Sequence, residues 1–449
     1  MIGRPPTTAA GAANSSGALV AKLGQPALLA VLAALNLGIS FVFQWLPVAA
    51  LGVGVSTDAL FVSAVVPQVL LAVASSGLTS VLTPLLATTA AHAFSARAWT
   101  YAFGVGVVAV GLNGVIFGLA PIWVPWLVPG FDAPARALTV RLVRIQSIGA
   151  VATMLMMVTW SAHYARHRFA WVEVSGGLAG AIGLGAAWAG IGAGGVVAVA
   201  WAMSLRSVLQ CLLLVRGLGP CSWPQWQAAG GVTVWRRLVP LMGGATYYKL
   251  DPMVERLLAS FAPAGQLSLF HLAQQGFSAG NQILTRAIIN PVMPTLATLA
   301  VARDWPAFAR VAKGRLLLAT ALAVGAWMVL LVAGRPLLRV GLAPWMAGDQ
   351  IDVLHGLLLA LVGVWLGGAA GQVLTVGFFA VGNTDTPTRV GVVGFTLAIP
   401  LKIICYRWGG ILGLALAASI YTVGTAVAHG VLLRRDLRAR VELQPGAVP

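Results

Sequence analysis

Four ionisable side chains and a proline lie close together in an otherwise apolar part of the sequence, within the stretch YYKLDPMVERLL at 247–258. These residues are Lys249, Asp251, Pro252, Glu255 and Arg256. On a helix at about 100° per residue, the two cations lie about 20° apart, and the two carboxylates lie about 40° apart on nearly the opposite face. The spacing predicts one face that offers positive charge to a cavity and another that pairs with cations on other helices.

Polar residues further along the chain could take part in the same chemistry. Arg286 is another cation in an apolar run, and a guanidinium suits bidentate contact with phosphate. It shares a helix face with Gln275, about three turns earlier. Gln274 and Gln275, together with His271, offer polar contacts for sugar hydroxyls, although a lone histidine also fits a satisfied buried side chain. An Arg286 that pairs with a carboxylate or extends to the membrane surface fits the same pattern.

The elements that must position these residues are membrane-spanning helices. Of the 449 residues, 59% are hydrophobic and only 9% are charged, and the mean hydropathy is +0.89. A soluble protein of this length could not bury so much apolar surface, and apolar runs of about 20 residues can each cross ~30 Å of hydrocarbon. The chain is therefore predicted to be an all-α polytopic membrane protein. Its three scattered cysteines have no metal-site or disulfide spacing.

The apolar runs predict twelve helices. They lie at residues 26–50, 58–88, 99–127, 138–162, 170–190, 194–215, 238–262, 267–298, 316–340, 352–381, 388–406 and 410–433. Most Lys and Arg residues fall on one side if the N-terminus is inside, which predicts that both termini are cytoplasmic. The outer ends then hold Arg136, Arg141, Arg144, Arg335, Arg339, Lys402 and Arg407. The net charge of +17 is explained by loops that contact anionic lipid rather than by nucleic acid.

Two pairs of segments indicate an internal repeat. Residues 83–103 resemble 293–312, and residues 195–218 resemble 413–437. Helices 2 and 6 therefore correspond to helices 8 and 12, and an even number of spans gives both halves the same orientation. Two parallel six-helix lobes around a central cavity are predicted, which suggests a transporter; a duplicated bundle without transport is the alternative. The predicted parts are a flexible cytoplasmic N-terminus at 1–25, an N-lobe at 26–220, a cytoplasmic linker at 221–237, a C-lobe at 238–434 and a cytoplasmic tail at 435–449.

Charged residues within these helices need partners, because ionisable groups at membrane depth are costly. The candidate partners of Asp251 and Glu255 are Arg141, Arg144 and Arg206. The alternative for the whole stretch is a structural ion-pair cluster near the outer mouth. Asp58, at the start of the second helix, fits either a simple N-cap or a partner for an arginine when an outer gate closes.

Three prolines inside predicted helices are candidate hinges: Pro67, Pro252 and Pro294. Proline lacks the amide proton that an internal helix position needs, so it can kink a helix. Membrane helices tolerate it where neighbours satisfy the freed backbone groups. Such positions suit helices that bend during a transport cycle.

Residues 54–88, GVSTDALFVSAVVPQVLLAVASSGLTSVLTPLLAT, resemble the second helix of the MurJ/MviN-type lipid II flippases. The matching residues are Thr57, Asp58, Ala59, Phe61, Pro67, Gly77 and Pro84. Residues 254–275 and 382–390 continue the resemblance in order and spacing. These flippases belong to the MOP exporter superfamily, together with polysaccharide-unit flippases and MATE-type multidrug exporters. The resemblance implies a MOP/MATE-like fold in the bacterial cytoplasmic membrane.

The sequence departs from that family at its cavity arginines, which the resemblance places on helices 1, 2 and 8. The corresponding positions fall near Leu37 and Phe43 and at Leu71, Ala72 and Gln275, and none is cationic. The family commonly has fourteen spans, whereas twelve are predicted here, so the chain resembles a divergent member. The residues expected to bind substrate instead are Lys249, Arg256, Arg286, Gln274 and Gln275. Those expected to serve as gating or structural charges are Asp58, Asp251, Glu255 and Arg144.

The resemblance implies a flippase that moves a polyprenyl-pyrophosphate-linked glycan by alternating access, either lipid II-like or an exopolysaccharide or O-antigen unit. A glycan polymerase or glycosyltransferase is the expected protein partner. The first alternative is a cation-coupled exporter of amphipathic small molecules, with Asp251 and Glu255 as its carboxylate pair. The second is a non-transporting membrane scaffold. No catalytic constellation or phosphate loop is present in the sequence, so no enzyme and no cofactor are predicted, and transport would draw on a coupling cation, the membrane potential or substrate supply.

Overall fold

The computed structural model of the protein describes residues 11–226 and 246–442. Within these ranges no β-strand occurs, as the predicted all-α class requires. Residues 1–10, most of the predicted linker, the start of the predicted helix at 238–262 and the end of the predicted tail lie outside the described residues. The first helix begins at Gly11, within the segment expected from the sequence to be flexible.

The described helices follow the predicted order. They are α1 (Gly11–Leu51), α2 (Val55–Ser63), α3 (Val65–Ala87), α4 (Ala91–Leu127), α5 (Ala133–Ala165), α6 (Phe169–Leu214), α7 (Asp251–Ala259), α8 (Gln266–Leu284), α9 (Asn290–Val301), α10 (Trp305–Leu342), α11 (Gly348–Ala360), α12 (Val362–Ala380) and α13 (Asp385–Glu442). Short 3₁₀ turns at Val215–Leu218 and Tyr248–Leu250 and a π-helix at Thr285–Ile289 lie between them. Eight of the described segments are long and apolar enough to cross a membrane, and the longest two can each cross it twice.

The predicted second helix is divided in two near one of its prolines. Pro67 has no amide proton to offer the carbonyl of Ser63, and α2 ends at Ser63, with one residue between it and the start of α3 at Val65. The Ser63 hydroxyl donates to the Leu60 carbonyl at 2.7 Å, one turn before the break. Pro67 therefore lies in the first turn of α3, three residues after the break, and its role as a hinge stays a prediction.

The two longest helices each bend at one glycine. Gly195 in α6 has φ 55° and ψ −139°, and Gly410 in α13 has φ 56° and ψ −138°. Glycine adopts this left-handed conformation without the steric cost that a Cβ would add. The bends fall at the predicted boundaries between helices 5 and 6 and between helices 11 and 12, so each long helix supplies two spans.

A serine after each bend makes the same contact in both halves. The Ser204 hydroxyl bonds the Ile145 carbonyl at 2.9 Å, and the Ser419 hydroxyl bonds the Ala360 carbonyl at 2.5 Å. Donors, acceptors and bend glycines all match at a separation of 215 positions. The predicted pairing of 195–218 with 413–437 is therefore three residues out of register. Small apolar residues match at several registers about one helical turn apart, so composition alone could not select the right one.

The two ends of the helix bundle differ in how the lobes meet. We call the end with turns at 88–90, 166–168, 302–304 and 381–384 the near end, and the end with turns at 52–54, 128–132, 260–265 and 343–347 the far end. One hydrophobic cluster joins Phe61 and Val124 of the N-lobe to Leu258 and Phe270 of the C-lobe at the far end. Every other hydrophobic cluster of the described residues belongs to one lobe. The lobes are therefore closed against each other at the far end and have separate cores towards the near end.

Candidate functional site

A carboxylate of the N-lobe closes the far end by binding the start of a C-lobe helix. Asp58 is buried in the first turn of α2, and its two carboxylate oxygens accept the amide protons of Gly265 at 2.6 Å and Ser268 at 2.7 Å. The Ser268 hydroxyl adds a bond of 2.5 Å to the same carboxylate. We call Asp58, Gly265 and Ser268 the far-end latch. A negative charge at a helix N-terminus satisfies unpaired amides and complements the helix dipole.

The latch differs from both expectations for Asp58. The residue before α2 is Gly54, and the hydroxyl that bonds the Gly54 amide belongs to Thr57, so Asp58 does not cap its own helix. Its hydrogen bonds run to the backbone and hydroxyl of the opposite lobe rather than to an arginine. A cap between lobes was not predictable, because the sequence does not show that α2 and α8 begin side by side.

A second contact at the far end requires close approach of two backbones. The Gly130 amide donates to the Ser260 hydroxyl at 3.3 Å. A Cβ added to Gly130 would lie 2.8 Å from the Cα of Phe261, so only glycine fits there. The N-lobe turn at 128–132 therefore packs directly on the C-lobe turn at 260–265, beside the latch.

The carboxylates of the charged stretch pair with a lysine of the same lobe. The Lys402 ammonium on α13 lies 2.5 Å from Asp251 Oδ1 and 2.7 Å from Glu255 Oε1. The Lys402 side chain is wholly buried, and its ammonium also lies 5.7 Å from the centre of the Tyr421 ring. We call Asp251, Glu255 and Lys402 the charge triad. It attaches α7 to the first part of α13.

The predicted partners of these carboxylates, Arg141, Arg144 and Arg206, were wrong. Arg144 instead donates to the Phe117 carbonyl at 3.3 Å, and Arg206 donates to the Ser40 hydroxyl at 2.8 Å. Lys402 is not predicted as their partner, because it lies near the end of a predicted helix and is counted there among the basic residues that set the orientation in the membrane. The available signal was a lone lysine in the apolar run TLAIPLKIIC, the same kind of signal that singles out 247–258.

A chain of hydrogen bonds leads from the charge triad to the N-lobe. Gln274 donates to the second oxygen of Glu255 at 2.6 Å, and Arg256 donates to Gln274 Oε1 at 3.2 Å. Arg256 also lies 2.8 Å from His271 Nδ1, and His271 Nε2 lies 3.2 Å from Gln44 Oε1 on α1. Since the arginine can only donate, Nδ1 accepts and Nε2 donates, which assigns a neutral imidazole. The charged part of the C-lobe is thus connected to the N-lobe through side chains.

Lys249 and Arg256 do not form the single cationic face that their spacing predicts. Arg256 is 4% exposed and belongs to the hydrogen-bond chain just described. Lys249 extends to the N-lobe, where its ammonium donates to the Ala72 carbonyl at 2.5 Å. The two residues lie on different elements, because α7 begins only at Asp251 after a 3₁₀ turn at Tyr248–Leu250. The angle predicted between Lys249 and Arg256 assumes one continuous helix, so it does not hold across that break. Pro252 lies in the first turn of α7, where proline is tolerated.

Two cations reach positions where the family resemblance places arginines. Ala72, the carbonyl partner of Lys249, is one of these positions. The Arg206 guanidinium lies 5.9 Å from the ring of Phe43, close to another. Positive charge is therefore present at these places, although it comes from helices other than those that carry it in the family pattern.

A cavity of about 170 Å³ lies between the N-lobe and His271 of the C-lobe, and its lining combines apolar and polar side chains. Its polar lining includes Gln44, Gln68, Gln146, Ser204 and His271, and Pro67 borders it at the helix break. Gln146 is held by a 2.9 Å bond to the Ser63 hydroxyl. Amides and hydroxyls of this kind can donate to and accept from sugar hydroxyls. Gln44, Gln68 and Gln146 lie far apart in the sequence, so residue spacing does not reveal the cavity.

The remaining predicted residues lie along α8 and beyond it. Gln274 belongs to the hydrogen-bond chain, and Gln275 is half-buried beside it. Arg286 falls in the π-helix Thr285–Ile289, and its side chain lies outside the described residues. Pro294 lies inside α9, in the second turn after that irregular segment.

Comparison with known proteins gives consistent matches. The family model described as "Lipid II flippase MurJ" matches residues 48–444. A probable lipid II flippase MurJ of Vibrio cholerae serotype O1 (strain ATCC 39315 / El Tor Inaba N16961) is 24% identical over 216 residues. That match covers 47% of this chain and 40% of the Vibrio protein, so the chain is matched to less than half of that relative's length.

Solved structures show the same fold at low sequence identity. A lipid II flippase MurJ in an inward closed conformation has a TM-score of 0.78 at 15% identity and covers 92% of this chain and 89% of its own. An inward-facing multidrug resistance MATE family transporter has a TM-score of 0.76 at 13% identity, with 92% and 96% covered. A MOP superfamily transporter from Pyrococcus furiosus has a TM-score of 0.67 at 11% identity. The predicted all-α architecture of two six-helix lobes is confirmed.

Proposed function

The chain belongs to the MurJ lipid II flippase family, and from that membership we propose that it moves a polyprenyl-pyrophosphate-linked glycan precursor across the bacterial cytoplasmic membrane. The glycan is lipid II-like or an exopolysaccharide or O-antigen unit. A charged headgroup cannot cross hydrocarbon unaided, because an ionised group is very costly to transfer there. A polar cleft between two lobes removes that cost while the prenyl tail stays in lipid.

The observation that carries this proposal is the closure of the lobes at one end only. The far end is held by the latch and a shared hydrophobic cluster, whereas the described cores are separate towards the near end. Alternating access needs such an interface at each end in turn. The latch suits repeated opening, because water can replace both its carboxylate contacts and the α8 amides when the lobes part.

Within the cleft, Lys249 is the proposed phosphate ligand and the glutamine-lined cavity is the proposed sugar site. The ammonium of Lys249 is engaged by a backbone carbonyl, which is a weaker partner than a pyrophosphate oxygen. Gln275 and Arg286 remain proposed substrate contacts on the α8 side. Arg256, by contrast, is proposed to position His271 and Gln274 rather than to touch substrate, since both its partners are protein side chains.

The proposed transport cycle also requires an orientation in the membrane and hinges between helical segments. With the near end in the cytoplasm, the cleft accepts substrate from the side where the precursor is made. Pro67 and Pro294 are the proposed hinges, because each lies beside an irregular helical segment, and Pro252 allows the turn before α7. The membrane potential or substrate supply would drive the cycle, and a polymerase or glycosyltransferase would act next to it.

The second candidate function is a MATE-like exporter of amphipathic molecules, because the fold also matches that of a MATE family transporter. Its expected coupling carboxylates are Asp251 and Glu255. Both are already paired with Lys402, which makes them poor acceptors for a coupling cation. The flippase proposal is therefore preferred over the exporter and over a non-transporting scaffold.

The deciding experiment is depletion of the protein followed by identification of the lipid-linked intermediate that accumulates. A wild-type copy should clear the intermediate, and Lys249→Gln should clear it about ten- to hundredfold more slowly, because a charge-assisted contact to phosphate is lost. Lys249→Arg should restore part of the activity. The control is Lys313→Gln, which removes an exposed lysine of α10 and should have no effect. Absence of any accumulated lipid-linked glycan would exclude the flippase function.

A further inference from the structure

The charge triad has the geometry of a cation site whose cation is a side chain. Asp251 and Glu255 are four residues apart on α7, so their carboxylates project from one helical face. One oxygen of each points to the same place, at 2.5 and 2.7 Å from the Lys402 nitrogen. Carboxylate oxygens are the ligands that hard metal cations select in proteins. Here an ammonium group holds that place.

The ammonium cannot exchange with solution in the way an ion does. Lys402 is fully buried and covalently tethered to α13, and the Tyr421 ring covers one side of its ammonium at 5.7 Å. The other oxygen of Glu255 is occupied by the Gln274 amide. Protein groups therefore surround the Lys402 ammonium and Glu255, whereas the Asp251 side chain is 21% exposed and leaves the site a route to solvent.

The charges of this region balance without a free ion. Asp251 and Glu255 are negative, and Lys402 and the adjacent Arg256 are positive, so the four groups sum to zero. Loss of the Lys402 charge would leave one uncompensated negative charge in a low-dielectric environment, which is strongly unfavourable. A small monovalent cation that entered the resulting space would restore the balance and could use the same two oxygens.

From this geometry we propose that Lys402 is a built-in counter-cation in a latent monovalent-metal site of the C-lobe. The wild-type protein needs no Na⁺ or K⁺ at this place, so a metal-ion gradient does not act through the Asp251–Glu255 pair. Shortening Lys402 uncovers the site and makes the fold depend on a dissolved cation. This inference concerns stability and ion binding, and it holds whichever substrate is transported.

The test measures thermal unfolding of the purified full-length protein in NaCl, KCl or choline chloride at equal ionic strength. The wild-type midpoint should be the same in all three salts. Lys402→Ala should unfold roughly 10 °C lower in choline chloride, which is too large to enter, and should regain at least about half of that loss in NaCl or KCl. Lys402→Met should be destabilised without any recovery, because its apolar chain fills the space.

Two controls separate a specific site from a general salt effect. Lys402→Ala combined with Asp251→Asn and Glu255→Gln removes the charge of the site and should show no preference for small cations. Arg206→Ala removes a half-buried cation of the N-lobe that bonds a hydroxyl, and it should not be rescued either. If Lys402→Ala does not fold, Lys402→Ser, which keeps an oxygen at the site, replaces it. The proposal would be overturned if the wild-type protein were stable only in Na⁺. It would also be overturned if no salt raised the unfolding midpoint of the variants with a small side chain at position 402.

Discussion

The N-lobe and the C-lobe share one backbone plan but place their buried charges differently. The φ and ψ of the glycine bend agree within 1° in the two lobes, and the serine after it bonds the equivalent carbonyl in each. Eight positions before the bend, however, the N-lobe has Ala187 and the C-lobe has Lys402, both buried. Duplication therefore preserved the packing of the helices, whereas the charges inside that packing diverged.

A second pair of equivalent positions shows the reverse exchange. Eleven positions after the bend, the N-lobe has Arg206 and the C-lobe has Tyr421, the ring that covers the Lys402 ammonium. Arg206 bonds a neutral hydroxyl, that of Ser40. The N-lobe cation thus comes from the helix after the bend, and the C-lobe cation comes from the helix before it. A cation can therefore lie on the helix before the bend or on the helix after it, provided that a neighbouring helix supplies a hydrogen-bond or ion-pair partner.

The two lobes also join corresponding helices with contacts of different strength. In the N-lobe, the first and fifth spans meet where the Asn36 amide donates to half-buried Glu173 at 2.7 Å. In the C-lobe, the seventh and eleventh spans meet at the buried charge triad. One contact pairs a charge with a neutral amide and the other pairs opposite charges, so their sensitivity to neutralisation should differ.

The largest expected difference comes from neutralising the glutamate in each of these two contacts. Glu255→Gln should lower the free energy of unfolding by about 3–5 kcal/mol, because Lys402 loses a partner in a buried site. Glu173→Gln should lower it by no more than about 1 kcal/mol, since the glutamine carbonyl still accepts from Asn36. Unfolding of the purified protein by SDS titration measures both. Equal losses would mean that the lobes do not differ in their dependence on charge.

Much of this architecture could be predicted from hydropathy. Long apolar runs gave the spans, and the boundaries at 190/194 and 406/410 fell at the two bends, because a glycine pair interrupts the helical pattern at each place. The charged stretch at 247–258 also stands out in the sequence, since ionisable groups in an apolar run need a reason to be there, and its carboxylates do have a buried cation as partner.

The partners of those residues could not be predicted, for physical reasons that differ from case to case. Lys402 lies about 150 positions from Asp251, and helix periodicity says nothing about which helices touch. Lys249 and Arg256 do not share a helix face, because α7 begins between them. Asp58 was expected to serve its own helix, whereas the α8 amides that it binds come from the other lobe. In each case the missing information is tertiary proximity rather than residue type.

A smaller and equal effect is expected at the two bend glycines. Gly195→Ala and Gly410→Ala should each lower the free energy of unfolding by roughly 1–3 kcal/mol, because a Cβ is strained at their positive φ. The matched controls are Gly192→Ala and Gly409→Ala, where an added Cβ meets no atom within 4 Å and φ is not positive. These controls should be neutral or slightly stabilising. A loss at only one bend would show that the shared backbone plan has different tolerance in the two lobes.

The smallest expected loss of stability comes from removing the single hydrogen bond that each of the two equivalent serines makes. Ser204→Ala and Ser419→Ala each remove one hydroxyl donor to a helix carbonyl, so each should cost about 1 kcal/mol. Because the two serines lie in different lobes and share no partner, the double variant should lose the sum of the two values. SDS titration of the two single variants and the double variant measures this additivity.

The control for the serine pair is Ser207→Ala. Its hydroxyl bonds the Met203 carbonyl of its own helix at 3.4 Å, a long contact within one helix that joins no neighbours. The loss there should be close to zero, because water or the helix itself can replace so weak a bond. If Ser419→Ala cost several times more than Ser204→Ala, the extra loss would have to come from elements specific to the C-lobe. One such element is the Tyr421 ring on the charge triad, two positions along the same helix, so combining Ser419→Ala with Glu255→Gln should then give a non-additive result.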